Sequence, residues 1–118
     1  MHNWRMGKKR IGDAAGREAV AASDTPTAVR YLLQLIEEKF PGGAVELRVP
    51  PFGAIQCLSG LDHRRGTPPN VVEMEPELFL SLCLGRASWQ DLIQSGQVLA
   101  SGSLVPEAAT LFPVALEN

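Results

Sequence analysis

The residues able to do chemistry are few and scattered. Histidine occurs twice, as His2 and His63, and cysteine twice, as Cys57 and Cys83. A tetrahedral zinc site takes about four N, S or O ligands set at short, paired spacings. His63 with Cys57 and Asp62 has no such pairing, so no metal site is expected. Ser59, Ser81, Ser88, Ser101 and Ser103 stand outside any nucleophile-elbow pattern, and with His2 near the N-terminus only His63 remains as a base. Nucleophilic catalysis therefore has no support. Gly42-Gly43 and Ser101-Gly102-Ser103 are isolated, which is not how a phosphate loop is built. The one concentrated polar feature is the stretch from Asp62 through His63, Arg64, Arg65 and Gly66 to Thr67. Two guanidiniums can clasp a carboxylate or phosphate through paired N–H donors, or they can stay solvated and pair with Asp62 or Glu73. No catalytic residue and no cofactor is expected.

The elements that would position these groups can be read from apolar period and stop signals. Residues 13–22 are Ala-rich and predict a short helix with Asp13 as a weak cap. Asp24 or Thr25 can cap the next helix, Pro26 suits its first turn, and Val29, Leu32, Leu33, Ile36 and Phe40 recur at helical spacing until Pro41-Gly42-Gly43 stops it. The period then switches to two. Val45, Leu47 and Val49 alternate with Glu46 and Arg48, a strand with one buried face. Pro50-Pro51-Phe52-Gly53 makes a longer turn and residues 55–58 return, so 44–58 reads as an antiparallel hairpin. A polar loop follows, then a short strand over 71–74. Pro76 opens a helix through Leu84 that Gly85 ends. Ser88 and Asp91 stand in capping-box relation for a further helix, which Gly96 closes. Residues 98–102 form a last strand, and a short helix from Pro106 carries Ala108, Leu111 and Phe112 to its end at Pro113.

The gross numbers set bounds on all of this. A chain of 118 residues is one domain of ordinary size, and 45% hydrophobic with 20% charged is a globular composition. No apolar run approaches the roughly 20 residues that span a bilayer, so no integral membrane segment is expected. The net charge of −2 gives no steering toward nucleic acid, and nucleic acid is not expected as a partner. Residues 1–20 nonetheless carry +3 and the remainder −5. Residues 1–12 have glycines and no apolar period, which predicts a flexible basic tail before a single domain over 13–118. No apolar stretch follows its basic residues, as a secretory signal would require. Two cysteines among apolar neighbours fit buried free thiols and a cytoplasmic location.

The large apolar side chains then need a role. Phe79, Leu82, Trp89, Ile93, Leu111 and Phe112, together with Phe40, suffice to line an apolar cavity between helices and sheet. The same residues suffice to fill a solid core, and a packed interior is the common case. Nothing in the pattern points to an oligomeric state.

Two stretches carry a resemblance. Residues 70–113 run strand, helix ending Leu84-Gly85-Arg86, helix ending Gln94-Ser95-Gly96, strand, and leucine-bearing helix. That order resembles the C-terminal half of a sterol carrier domain. Val45-Glu46-Leu47-Arg48-Val49-Pro50-Pro51-Phe52-Gly53-Ala54, with Arg65-Gly66-Thr67-Pro68-Pro69-Asn70-Val71-Val72-Glu73, looks like the bacterial single-domain orthologues of that superfamily. It is also similar to the C-terminal domain of mycothiol-dependent maleylpyruvate isomerases. The resemblance implies an α+β fold, with a mostly antiparallel curved sheet and helices packed chiefly on one face. It implies a non-enzymatic module that binds or carries a lipid, sterol or acyl chain, with the six apolar residues above as walls. The departures are specific. A carrier domain has a further strand before the one at Val71, where this chain has a short polar loop. The isomerases keep their metal-binding histidines in a helical N-terminal domain that the resemblance does not reach, so their catalysis is not carried over. An arginine of their C-terminal domain does contribute to the active site, which makes Arg65 the candidate for contact with an anion. The alternative expectation is a packed interaction or auxiliary domain that completes a partner enzyme's site.

Overall fold

The computed structural model describes residues 9–60 and 70–116. Helices α1 (Asp13–Ala21) and α2 (Thr25–Lys39) precede strands β1 (Val45–Val49), β2 (Gly53–Cys57) and β3 (Asn70–Glu73). Helices α3 (Pro76–Cys83) and α4 (Trp89–Ser95), strand β4 (Leu99–Ser101) and a 3₁₀ helix (Val105–Leu111) complete the order. The protein is α+β, and the four strands make one open sheet in the order β2-β1-β3-β4.

The hairpin forms where the alternation places it. Val45 faces Cys57 and Val49 faces Gly53, so the turn is only Pro50-Pro51-Phe52, tighter than the sequence suggests. β3 lies on the other side of β1 and runs parallel to it, Leu47 facing Val72, and β4 returns antiparallel to β3 with Glu73 facing Leu99. Two of the three pairings are thus antiparallel. Val45, Leu47, Val49, Ile55, Cys57 and Val72 point to one face and are buried against Val29, Leu32, Leu33 and Ile36 of α2 and Phe79 and Leu82 of α3. The opposite face carries Glu46, Arg48, Gln56, Val71 and Glu73, none of them buried. There Arg48 lies 3.5 Å from both Glu46 and Glu73, long contacts on a half-exposed surface worth little each.

The glycine stops work as written and by one device. Gly85 at φ +76° and Gly96 at φ +77° occupy the left-handed region that glycine enters without steric cost. At α3 the amide of Gly85 donates to the Leu82 carbonyl and that of Arg86 to Ser81. At α4 the amides of Gly96 and Gln97 donate to Ile93 and Leu92. This paired pattern satisfies carbonyls that would otherwise be left bare at a helix end. Ser88 caps α4 as read, its hydroxyl oxygen accepting from the Asp91 amide.

Three local readings change. Gly12, not Asp13, is the cap residue of α1, and the Asp13 carboxylate accepts instead from the Tyr31 hydroxyl and from Arg10. Burial and this bond push the Tyr31 hydroxyl pKa above its ordinary 10.0. The final helix is a 3₁₀ helix that ends at Leu111 and leaves Phe112 beyond it, and the last strand contracts to three exposed residues. Within the segment expected as a tail, Arg10 pairs with Glu38 at 2.6 Å. Ile11 exchanges two backbone bonds with the buried Gln34 amide, its N–H donating and its carbonyl accepting. Gly16 sits against the Tyr31 ring so closely that a Cβ there would overlap it, which brings α1 onto α2.

Candidate functional site

Five of the six candidate wall residues come from elements that the glycine stops fold back on one another, and the sixth directly follows the 3₁₀ helix. Phe79 and Leu82 lie one turn apart on the inner face of α3, and Leu111 ends the 3₁₀ helix; all three are at most 1% exposed. Trp89 and Ile93 sit one turn apart on α4, and they and Phe112 are only half-buried against the same core. The six therefore separate into a floor and a rim.

Aromatic contacts join the two. The Phe112 ring stacks on Trp89 at 5.9 Å between centroids with 17° between planes, and meets Phe79 edge-on at 6.3 Å and 83°. Offset stacking and edge-to-face contact are the two arrangements that ring quadrupoles favour. Phe112 thus closes the gap between α3 and α4. The chain that carries it is held beyond the 3₁₀ helix by the Val114 amide donating to the Cys83 carbonyl at 2.9 Å. Leu92 and Ala108 add to the buried side, and Val114 and Leu116 to the half-buried one.

The floor has little electrostatic character. Burial raises the Cys83 thiol well above its ordinary range, and burial, with Glu37 adding a smaller push, takes Cys57 up to about 11. Both stay protonated near neutral pH, which is the wrong state for a nucleophile. Among the described residues no group of three or more His, Cys, Asp or Glu side chains is placed to hold a metal ion. Among them, too, no helix is long and apolar enough to cross a membrane. Arg65, with His63 and Arg64, lies outside the described residues.

One polar residue with a defined place escaped the sequence reading. Asn70, at the start of β3, donates from its side chain to the Ala44 carbonyl and accepts from the Leu104 amide, both at 2.9 Å. It ties β3 at once to the chain entering β1 and to the chain entering the 3₁₀ helix. A Cβ at Gly102, where φ is +114°, would collide with the Asn70 side chain, so that glycine makes room for the clamp. An Asn immediately after Pro68-Pro69 and before a β-branched pair is the only signal the sequence offered.

Residues 10–114 match the family described as bacterial SCP ortholog. That match spans most of the chain, and the protein belongs to this family, within the sterol carrier superfamily. Among solved structures the chain is similar to sterol carrier protein 2 from Yarrowia lipolytica in its apo form, with 15% identity, 85% of each chain covered and a TM-score of 0.36. No curated protein sequence matches it.

Proposed function

We propose that the protein is a non-enzymatic binding or carrier module for a lipid, sterol or acyl chain, held in the apolar layer between the sheet, α3, α4 and the 3₁₀ helix. Membership of the bacterial SCP ortholog family supports this reading. The observation that carries it is the half-exposed Trp89–Phe112 pair lying over the buried floor of Phe79, Leu82 and Leu111. A ligand chain entering between rim and floor would gain about 0.8 kcal/mol per buried methylene. Ten methylenes amount to roughly 8 kcal/mol before ordering costs, which leaves micromolar affinity at best. Arg65 is the candidate contact for an anionic headgroup. Two buried free thiols suit the cytoplasm as its location.

The test uses Trp89 as reporter in a Trp4→Phe background, titrated with fatty acids, acyl-CoA and sterols, alongside native mass spectrometry for a co-purified lipid. A saturable change in emission with a matching rise in melting temperature is expected. No response to any of the three classes, with no lipid mass, would overturn the proposal.

A second reading has an observation of its own. A void wide enough for water leaves accessible surface on its walls, and Phe79, Leu82 and Leu111 have at most 1%. A filled core of this kind suits a packed auxiliary domain that completes a partner's site. Leu82→Trp separates the two. In a solid core it overpacks and costs about 1–3 kcal/mol; in a core that opens for ligand it is tolerated and abolishes lipid binding, read by native mass spectrometry and by loss of the ligand-induced rise in melting temperature.

A further inference from the structure

We infer that residues 112–116 form a releasable strap over the apolar floor, and that an acyl chain enters when this segment swings away from the end of α3. The inference rests on the carrier reading above. The floor itself creates the need: Phe79, Leu82 and Leu111 are at most 1% exposed, so no ligand reaches them unless part of their cover moves. The covers differ in how firmly they are held. α2 buries seven of its side chains, and β1 is paired on both sides. α4 is anchored by buried Leu92 and, beyond its end, by buried Val98, directly ahead of the β4 pairing with β3. Residues 112–116 have no buried side chain and no strand partner.

Phe112 leaves the 3₁₀ helix in an extended conformation, φ −122° and ψ 147°. Burial then alternates with the period of a strand. Phe112, Val114 and Leu116 are half-buried against the core, and Pro113 and Ala115 are exposed. Among the described residues a single backbone bond ties the segment to another element, the Val114 amide donating to the Cys83 carbonyl at 2.9 Å. That carbonyl lies in the last turn of α3, where the following amides of Gly85, Arg86 and Ala87 turn back to Leu82 and Ser81 instead. No side chain of the segment carries a charge or a hydrogen-bonding group. The rest of its attachment is apolar contact, above all the Phe112 ring on Trp89 and Phe79.

Segments with few buried contacts open at lower free energy than the core they lie on. Release here breaks one backbone bond and unstacks one ring, while Leu111 stays in the floor as the fixed side of the hinge. An acyl chain laid across Phe79 and Leu82 replaces the apolar contacts that Phe112, Val114 and Leu116 give up. Ligand and strap therefore compete for one surface, and the open fraction sets both the rate of entry and the apparent affinity. This accounts for a floor that is closed in the free chain and still accessible to a ligand.

Two measurements test this. Hydrogen exchange of the free wild-type chain needs no substitution: the Val114 amide should exchange faster than the amides of β1 and α2, through an opening short of global unfolding. Stopped-flow mixing with dansyl-aminoundecanoic acid, followed by dansyl emission, then compares wild type with Val114→Pro, which removes the donor to Cys83, and with a chain ending at Leu111. Circular dichroism verifies that each variant is folded. Entry of the probe should be at least about tenfold faster in both variants. A Val114 amide as slow as those of β1 overturns the strap. So does a wild type that binds the probe at a rate both variants leave unchanged, and that result leaves the carrier reading standing. Failure of all three chains to bind any of the probe, fatty acids, acyl-CoA or sterols overturns the carrier reading and the gate with it.

Discussion

Removing the Phe112 ring is the sharpest probe of how the C-terminal segment is held. Phe112 contacts Trp89 face to face and Phe79 edge to face, and it is half-buried. Truncating a fully buried Phe to Ala costs about 3–5 kcal/mol, so a half-buried one should cost about 2 kcal/mol. The two ring contacts supply a large share, at about 0.5–1.5 kcal/mol each beyond simple burial. In a domain of this size that loss lowers the melting temperature by roughly 10 °C. Urea and thermal unfolding followed by circular dichroism measure it without depending on tryptophan. The specific claim is the stack, and a double-mutant cycle of Phe112→Ala with Trp89→Leu isolates it. A coupling of about 0.5–1.5 kcal/mol is expected. Additivity within about 0.3 kcal/mol would mean that the rings do not touch in solution. A Phe112→Ala loss below about 0.5 kcal/mol, the size of an ordinary surface change, would mean the segment is not docked at all.

Other outcomes follow from particular contacts. The bond from Tyr31, with Arg10 next, holds the Asp13 carboxyl below its ordinary 3.8, and Arg10 holds Glu38 below 4.5. A carboxyl depressed on folding adds stability that is complete above its unfolded pKa and is lost as pH falls through the folded one. This contribution should be intact above about pH 5 and fade below about pH 4. Both groups are exposed, so the effect is small and weakens with salt; an Asp13→Asn, Glu38→Gln double variant should flatten the acid limb of melting temperature against pH. Asn70→Ala strips the Ala44 carbonyl and Leu104 amide of their partner and should cost about 1–3 kcal/mol by urea unfolding. Gly16→Ala pushes a methyl into the Tyr31 ring and should cost about 1–3 kcal/mol, with relief by Tyr31→Leu in the same background.

What could be read from the chain alone was whatever is settled within a few residues. Gly85 and Gly96 end their helices because the left-handed turn is a local conformation that glycine enters freely. Ser88 caps because its oxygen reaches an amide three residues on. Val45, Leu47 and Val49 share a face because successive side chains of a strand alternate. Five of the six apolar residues were recognisable for the same reason, as stripes of short helices, and Phe112 lies just beyond the last of them. Their division into a floor of Phe79, Leu82 and Leu111 and a rim of Trp89, Ile93 and Phe112 was not. It depends on which helix covers which, and helical period is identical in either case.

The remainder was decided by contacts between residues far apart in the chain. β3 lies parallel beside β1, and this makes β2 one edge of the sheet and leaves β4 as the other. Asn70 bridges residues 26 positions before it and 34 after it, and Gly16 is small because a ring from another helix lies on it. Arg10 and Ile11 look like loose tail by composition, yet α2 presents Glu38 and Gln34 at the height where they meet. In each case the stabilising partner is absent from the local sequence. Its energy is realised only once the loops between have been closed and their entropy lost, so local preference determined the elements and the closure of the whole chain determined their neighbours.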